Sequence, residues 1–137
     1  MKTIAETYQC VAPFEIALLA IEKGFDLPTI HVWCDYDTIH QRSVNKHPII
    51  VRSNSQRDRF IAAPTRELLR KWLREYHNIH IEINLSGDIP YNKFYYYIMK
   101  IGQYFTMSTS DDQESFVTYE EALDTSLIKV LKRLIIP

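Results

Sequence analysis

From Ile79 to Leu85 the chain alternates apolar and polar without a break, Ile-His-Ile-Glu-Ile-Asn-Leu. That period places the aliphatic side chains on one face of a strand and His80, Glu82 and Asn84 on the other. Lys93 to Ile101, Lys-Phe-Tyr-Tyr-Tyr-Ile-Met-Lys-Ile, predicts a central strand, because adjacent aromatic and branched residues favour pleated backbone and lack helical spacing. Gly102 follows where a tight hairpin needs positive φ, and Tyr104 to Thr109 resumes as a third strand. Ser86-Gly87-Asp88-Ile89-Pro90 supplies turn chemistry between the first two. These elements make an antiparallel meander centred on Lys93 to Ile101.

On both sides of the meander the period becomes helical. Pro64 to Tyr76 sets Leu68, Leu69, Trp72, Leu73 and Tyr76 on one stripe, with Arg66, Arg70, Lys71 and Arg74 mostly facing away and Pro64 suited to the first turn. Thr118 with Glu121 reads as a capping box ahead of a stripe of Leu123, Leu127, Val130, Leu131 and Leu134. A sheet with one apolar face has to be covered, so both helices are expected on that face. The expected class is α+β: a helix-β-β-β-helix core over residues 64–134, plus an N-terminal helix and one or two strands.

In the N-terminal third, Pro13 opens and Gly24 closes a helix from Phe14 to Lys23. It is apolar nearly all round, which calls for burial inside the domain or against a second copy of the chain. Thr29 to Cys34 and His47 to Arg52 predict strands that either extend the meander or pair with each other.

With 137 residues, the chain is expected to form one α+β domain over residues 1–137 with a self-sufficient core. Its 46% hydrophobic and 24% charged composition is that of an ordinary globular protein, and three glycines leave little room for flexible linkers. The Ile16 to Ile21 run is far short of the roughly 20 apolar residues that cross a bilayer, so no membrane partner is expected. Residues 1–9 lack a basic segment leading into an apolar core, which predicts a cytoplasmic protein whose Cys10 and Cys34 stay reduced.

Candidate chemistry is sparse. His31, Cys34, Asp35, Asp37 and His40 have the ligand types of a metal site but not the spacing, since His31 and Cys34 point to opposite faces of a strand. His80-Ile81-Glu82 resembles half of a zinc deaminase motif whose cysteine half is absent, and suits the polar face of an alternating strand. No nucleophile elbow is present, and glycines at 24, 87 and 102 cannot form a phosphate loop. No catalytic residue, metal or cofactor is therefore assigned.

Positive charge is concentrated in one region of the chain. Residues 40–63 carry Arg42, Lys46, Arg52, Arg57 and Arg59 against Asp58, although the whole chain has net charge −1. Arg66, Arg70 and Arg74 follow along one helical edge. Arg52, Arg57, Arg59, Arg66, Arg70 and Arg74 are thus candidate phosphate contacts for a nucleic-acid partner. The competing reading is a solvated surface, supported by the i,i+4 pairs Glu67–Lys71 and Lys71–Glu75. In the central strand, Tyr95, Tyr97, Met99 and Ile101 share one side and Phe94, Tyr96, Ile98 and Lys100 the other, so both faces are apolar in part. An exposed aromatic face would stack bases or bury a partner; the competing reading is a strand that is core or covered by N-terminal segments.

The helix, three strands, helix order of residues 64–134 resembles the double-stranded RNA-binding domain in topology. That family begins its last helix with a lysine cluster, whereas Glu120, Glu121 and Asp124 here would repel RNA. Three further stretches resemble short uncharacterised proteins encoded by phages and integrated mobile elements of gut bacteria: Phe14 to Trp33, Ala63 to Glu75, and Thr118 to Ile135. This resemblance implies a small accessory protein of a bacterial cytoplasm, with no activity to carry over. The expected function is non-enzymatic interaction with another protein or a second copy of itself, through the helix near Leu18 or the tyrosine face. Nucleic-acid binding is the alternative, and a metal-dependent enzyme is the third class.

Overall fold

A computed structural model describes residues 10–36, 41–46, 59–85, 93–100, 105–108 and 115–134. The chain gathers into two compact units, one running up to Arg66 and one from Glu67 onward.

The first unit contains α1 (Phe14–Glu22), β1 (His31–Tyr36), β2 (Gln41–Lys46) and β3 (Arg59–Ala63). Pro13 caps α1, its carbonyl accepting the Ala17 N–H at 3.0 Å. The helix ends in a Schellman turn: Gly24 has φ +99°, its N–H donates to the Ile21 carbonyl, and the Phe25 N–H donates to that of Ala20. β1 lies between β2 and β3, antiparallel to both. Register sets Trp33 between Val44 and Ile61, and these join Val11, Phe14, Ala17, Leu18 and Ala63 in one apolar cluster. Phe14 meets Trp33 edge-on at 6.1 Å, and Trp33 Nε1 donates to the Ala12 carbonyl at 3.0 Å, so the buried indole is satisfied. Leu18 packs on this cluster, which commits part of the apolar helix to the unit's own core.

Several local expectations are corrected here. The first strand begins at His31 rather than Thr29 and continues past Cys34 through Asp35 and Tyr36. Antiparallel pairing holds that end extended, Asp35 between Arg42 and Arg59 and Tyr36 against Gln41. β2, Gln-Arg-Ser-Val-Asn-Lys, carries too little apolar alternation to announce itself, and β3 was also unforeseen. The strand expected over 47–52 lies outside the described residues. β1 to β3 form their own sheet instead of extending the meander.

The second unit contains α2 (Arg66–His77), β4 (Ile79–Leu85), β5 (Phe94–Lys100), β6 (Phe105–Ser108) and α3 (Tyr119–Arg133). The meander is present as β4-β5-β6, antiparallel throughout, with a helix before and after it. The fold class is α+β. The turns expected at 86–90 and at Gly102 lie outside the described residues. Asn78, at φ +57°, is the single residue between α2 and β4; its left-handed conformation ends the helix as glycine often does. Pro64 precedes α2 rather than entering its first turn, and its carbonyl accepts the Ala12 N–H at 2.8 Å.

α3 packs along β4 and β5. It buries Ala122, Leu123, Leu127, Val130 and Leu131, while the sheet contributes Ile79, Ile81, Tyr96 and Ile98. Thr118 Oγ1 accepts the Glu121 N–H at 3.1 Å, the predicted N-cap. Ser126, fully buried, donates to the Leu123 carbonyl at 2.6 Å and leaves no unmet group. α2 buries Leu69, Trp72 and Leu73, but Tyr76, expected on that stripe, is 61% exposed.

Candidate functional site

Strand alternation gives the β4-β5-β6 sheet two unlike faces. Tyr96 and Ile98 are buried on the α3 side, where Lys129 Nζ stands 5.2 Å from the Tyr96 ring centroid. Phe116 adds a tilted ring contact to Tyr96, and its backbone pairs with Phe94. The opposite face is built from three cross-strand pairs: His80 with Met99, Glu82 with Tyr97, and Asn84 with Tyr95. Glu82, Asn84 and Met99 are exposed, whereas His80, Tyr95 and Tyr97 are half-buried. Aromatic and thioether surface, of the residue types enriched where proteins meet, is thus interleaved with hydrogen-bonding groups.

The six candidate arginines do not share one fate. Arg52 and Arg57 lie outside the described residues, and Arg59 is placed only by its β3 backbone, opposite Asp35. Arg66 and Arg74 are half-buried at the two ends of α2. Arg70 is turned inward. Its guanidinium donates to the Ile81 carbonyl at 2.6 Å and to the Tyr119 hydroxyl at 2.9 Å, and pairs with Glu67 at 3.1 Å. β4 is an edge strand of its sheet, so Arg70 covers a backbone acceptor that would otherwise be open to pairing. One cation therefore ties α2 to β4 and to the first turn of α3. The cost is a buried Nε without a hydrogen-bond partner among the described residues. On the same helix, Lys71 and Glu75 form the expected i,i+4 pair at 4.0 Å, while Glu67 turns to Arg70 instead of Lys71.

Sequence spacing could not reveal the role of Arg70. An arginine at a helical edge has the same pattern whether it meets solvent or a strand carbonyl, and the Ile81 acceptor belongs to the backbone. The Tyr96 hydroxyl is likewise buried without a partner among the described residues.

The histidine and cysteine clusters resolve differently. Cys34 is fully buried in β1 and His31 half-buried, while Asp37 and His40 lie outside the described residues. Among the described residues no three of His, Cys, Asp and Glu come together. His77, at the end of α2, meets the Trp72 ring edge-on at 4.7 Å. Burial, and then the charge of Lys100, hold its pKa below the ordinary histidine value. His80 and Glu82 sit on the open sheet face, as the strand period predicts. Among the described residues no helix is long and apolar enough to cross a membrane. The chain matches no protein-family model, no curated protein and no solved structure.

Proposed function

We propose that this chain is a non-enzymatic accessory protein that works by binding another polypeptide, and that its contact surface is the β4-β5 face bearing Tyr95, Tyr97 and Met99. The observation that carries this reading is the register of that face, which sets each of those residues opposite a polar partner and leaves Met99 40% exposed. Tyrosine supplies large contact area at low entropic cost, methionine an adaptable apolar surface, and the polar neighbours supply specificity. The other surface expected to self-associate, the helix around Leu18, is in part consumed by the core of the first unit. Expression from a phage or mobile element in a bacterial cytoplasm rests on the resemblances noted in the sequence.

A photo-crosslinking side chain placed at Tyr97, and separately at Glu75 on the exposed side of α2, tests the assignment. Illumination in cells should give a covalent adduct to one defined polypeptide, identified by mass spectrometry, from position 97 and not from position 75. Recovery of unmodified monomer alone from position 97 would remove the reading.

A further inference from the structure

We propose that Tyr97 and Glu82 form a seat for an arginine side chain presented by the partner, an inference that rests on the interaction reading above and names its chemistry. The two residues are direct cross-strand neighbours on the open face. Such pairs hold their β-carbons about 4.5–5.5 Å apart, which puts one side-chain group of a partner within reach of both residues. Glu82 is exposed and Tyr97 half-buried. Neither strand places a lysine or arginine on this face: Lys100 pairs with Ile79 on the opposite side, and Lys93 stands outside β5, beyond the Tyr95 end. The face therefore offers one carboxylate with no cation of its own strands to answer it.

That arrangement selects its occupant by charge and shape. A phosphate would be repelled by Glu82, and a purely aliphatic side chain would bury Glu82 and Asn84 without partners. A cation is attracted by both the carboxylate and the negative face of the ring. A planar guanidinium uses them together, stacking on Tyr97 while its fork of N–H groups meets the carboxylate, which a spherical ammonium cannot do. Tyr95 and Met99 flank the seat with surface for the aliphatic stem. The same strand already holds a cation over a tyrosine on its other side, where Lys129 sits on Tyr96.

The test is a titration of the full chain with a blocked Ala-Arg-Ala peptide and with its lysine counterpart, followed by amide NMR shifts. The arginine peptide should give saturable shifts centred on Glu82 and Tyr97 and bind at least about twofold more tightly than the lysine peptide. Glu82→Gln and Tyr97→Leu should each weaken binding about two- to fivefold, as loss of an exposed ion pair or cation–π contact implies. Tyr97→Phe, which keeps the ring, should stay within about twofold, and Glu75→Gln should change nothing. Equal affinity for the two peptides, shifts not centred on these residues, or indifference to Glu82→Gln overturns the arginine seat. If the crosslink at position 97 persists through such a failure, the interaction reading stands with a different chemistry; if the crosslink is absent, that reading fails on its own account.

Discussion

Replacing Arg70 with methionine keeps most of the aliphatic stem and removes the guanidinium. The Ile81 carbonyl then loses its donor at 2.6 Å and the Tyr119 hydroxyl its donor at 2.9 Å. Hydrogen bonds from a charged donor contribute roughly 1.5–3 kcal/mol each, giving a gross loss of about 3–6 kcal/mol. The Glu67 pair adds little, because Glu67 is 66% exposed and the pair is screened by water. Against the loss, methionine no longer buries an Nε that lacks an acceptor, which returns about 1–3 kcal/mol. Taking the middle of each range, the expected net destabilisation is about 2–3 kcal/mol, read as a shift in the urea midpoint followed by circular dichroism. Arg70→Lys should fall between, since one ammonium cannot serve both acceptors with the geometry of a fork. A methionine variant within about 0.5 kcal/mol of the parent, the range of ordinary surface changes, would refute the structural role and return Arg70 to the exposed basic set.

Thr118→Ala should cost about 1 kcal/mol by removing the N-cap of α3, and the same unfolding experiment with no midpoint shift would show the cap to be idle. Gly24→Ala meets open space, with nothing within 4 Å of an added β-carbon, so its expected loss of about 1–2 kcal/mol comes from the backbone alone at φ +99°. Calorimetry showing no loss would contradict that account. Unfolded His77 takes up its proton near pH 6.5 and folded His77 only at lower pH, so its contribution to stability is complete above pH 6.5 and is lost as pH falls toward the folded value. His77→Gln should flatten that part of the stability–pH curve, and an unchanged curve would sink the assignment. Anisotropy titrations with single- and double-stranded DNA and RNA should show no binding that depends on Arg57 and Arg59. Five phosphate contacts, the candidate set without Arg70, would weaken roughly several hundredfold between about 50 and 200 mM salt, and such behaviour abolished by alanine at both positions would put nucleic acid in place of a protein partner.

The membership of each face was legible because it depends only on a period of two. Once β4 and β5 are strands, Tyr95, Tyr97 and Met99 must leave on one side and Tyr96 and Ile98 on the other. Which side α3 would cover was not legible, because both sides of β5 carry large apolar groups. The arginine set shows the opposite case: six residues of one type in one region of sequence, of which Arg70 is spent inside the fold on a carbonyl that no side-chain pattern encodes.

Taken alone, the sequence determined the elements whose signals are local. These are the capped α3, the Pro13-to-Gly24 helix α1, α2 and the alternating β4, because capping groups, left-handed turns and side-chain periods act within a few residues. That Gln41–Lys46 and Arg59–Ala63 become strands, paired with His31–Tyr36 in a sheet of their own, follows instead from long-range pairing. β2 has little apolar patterning to propose an extended backbone, and its partner's hydrogen bonds impose one. The same holds for Arg70. Its chemistry is written in the chain, but its use depends on which edge of which strand the helix comes to lie against.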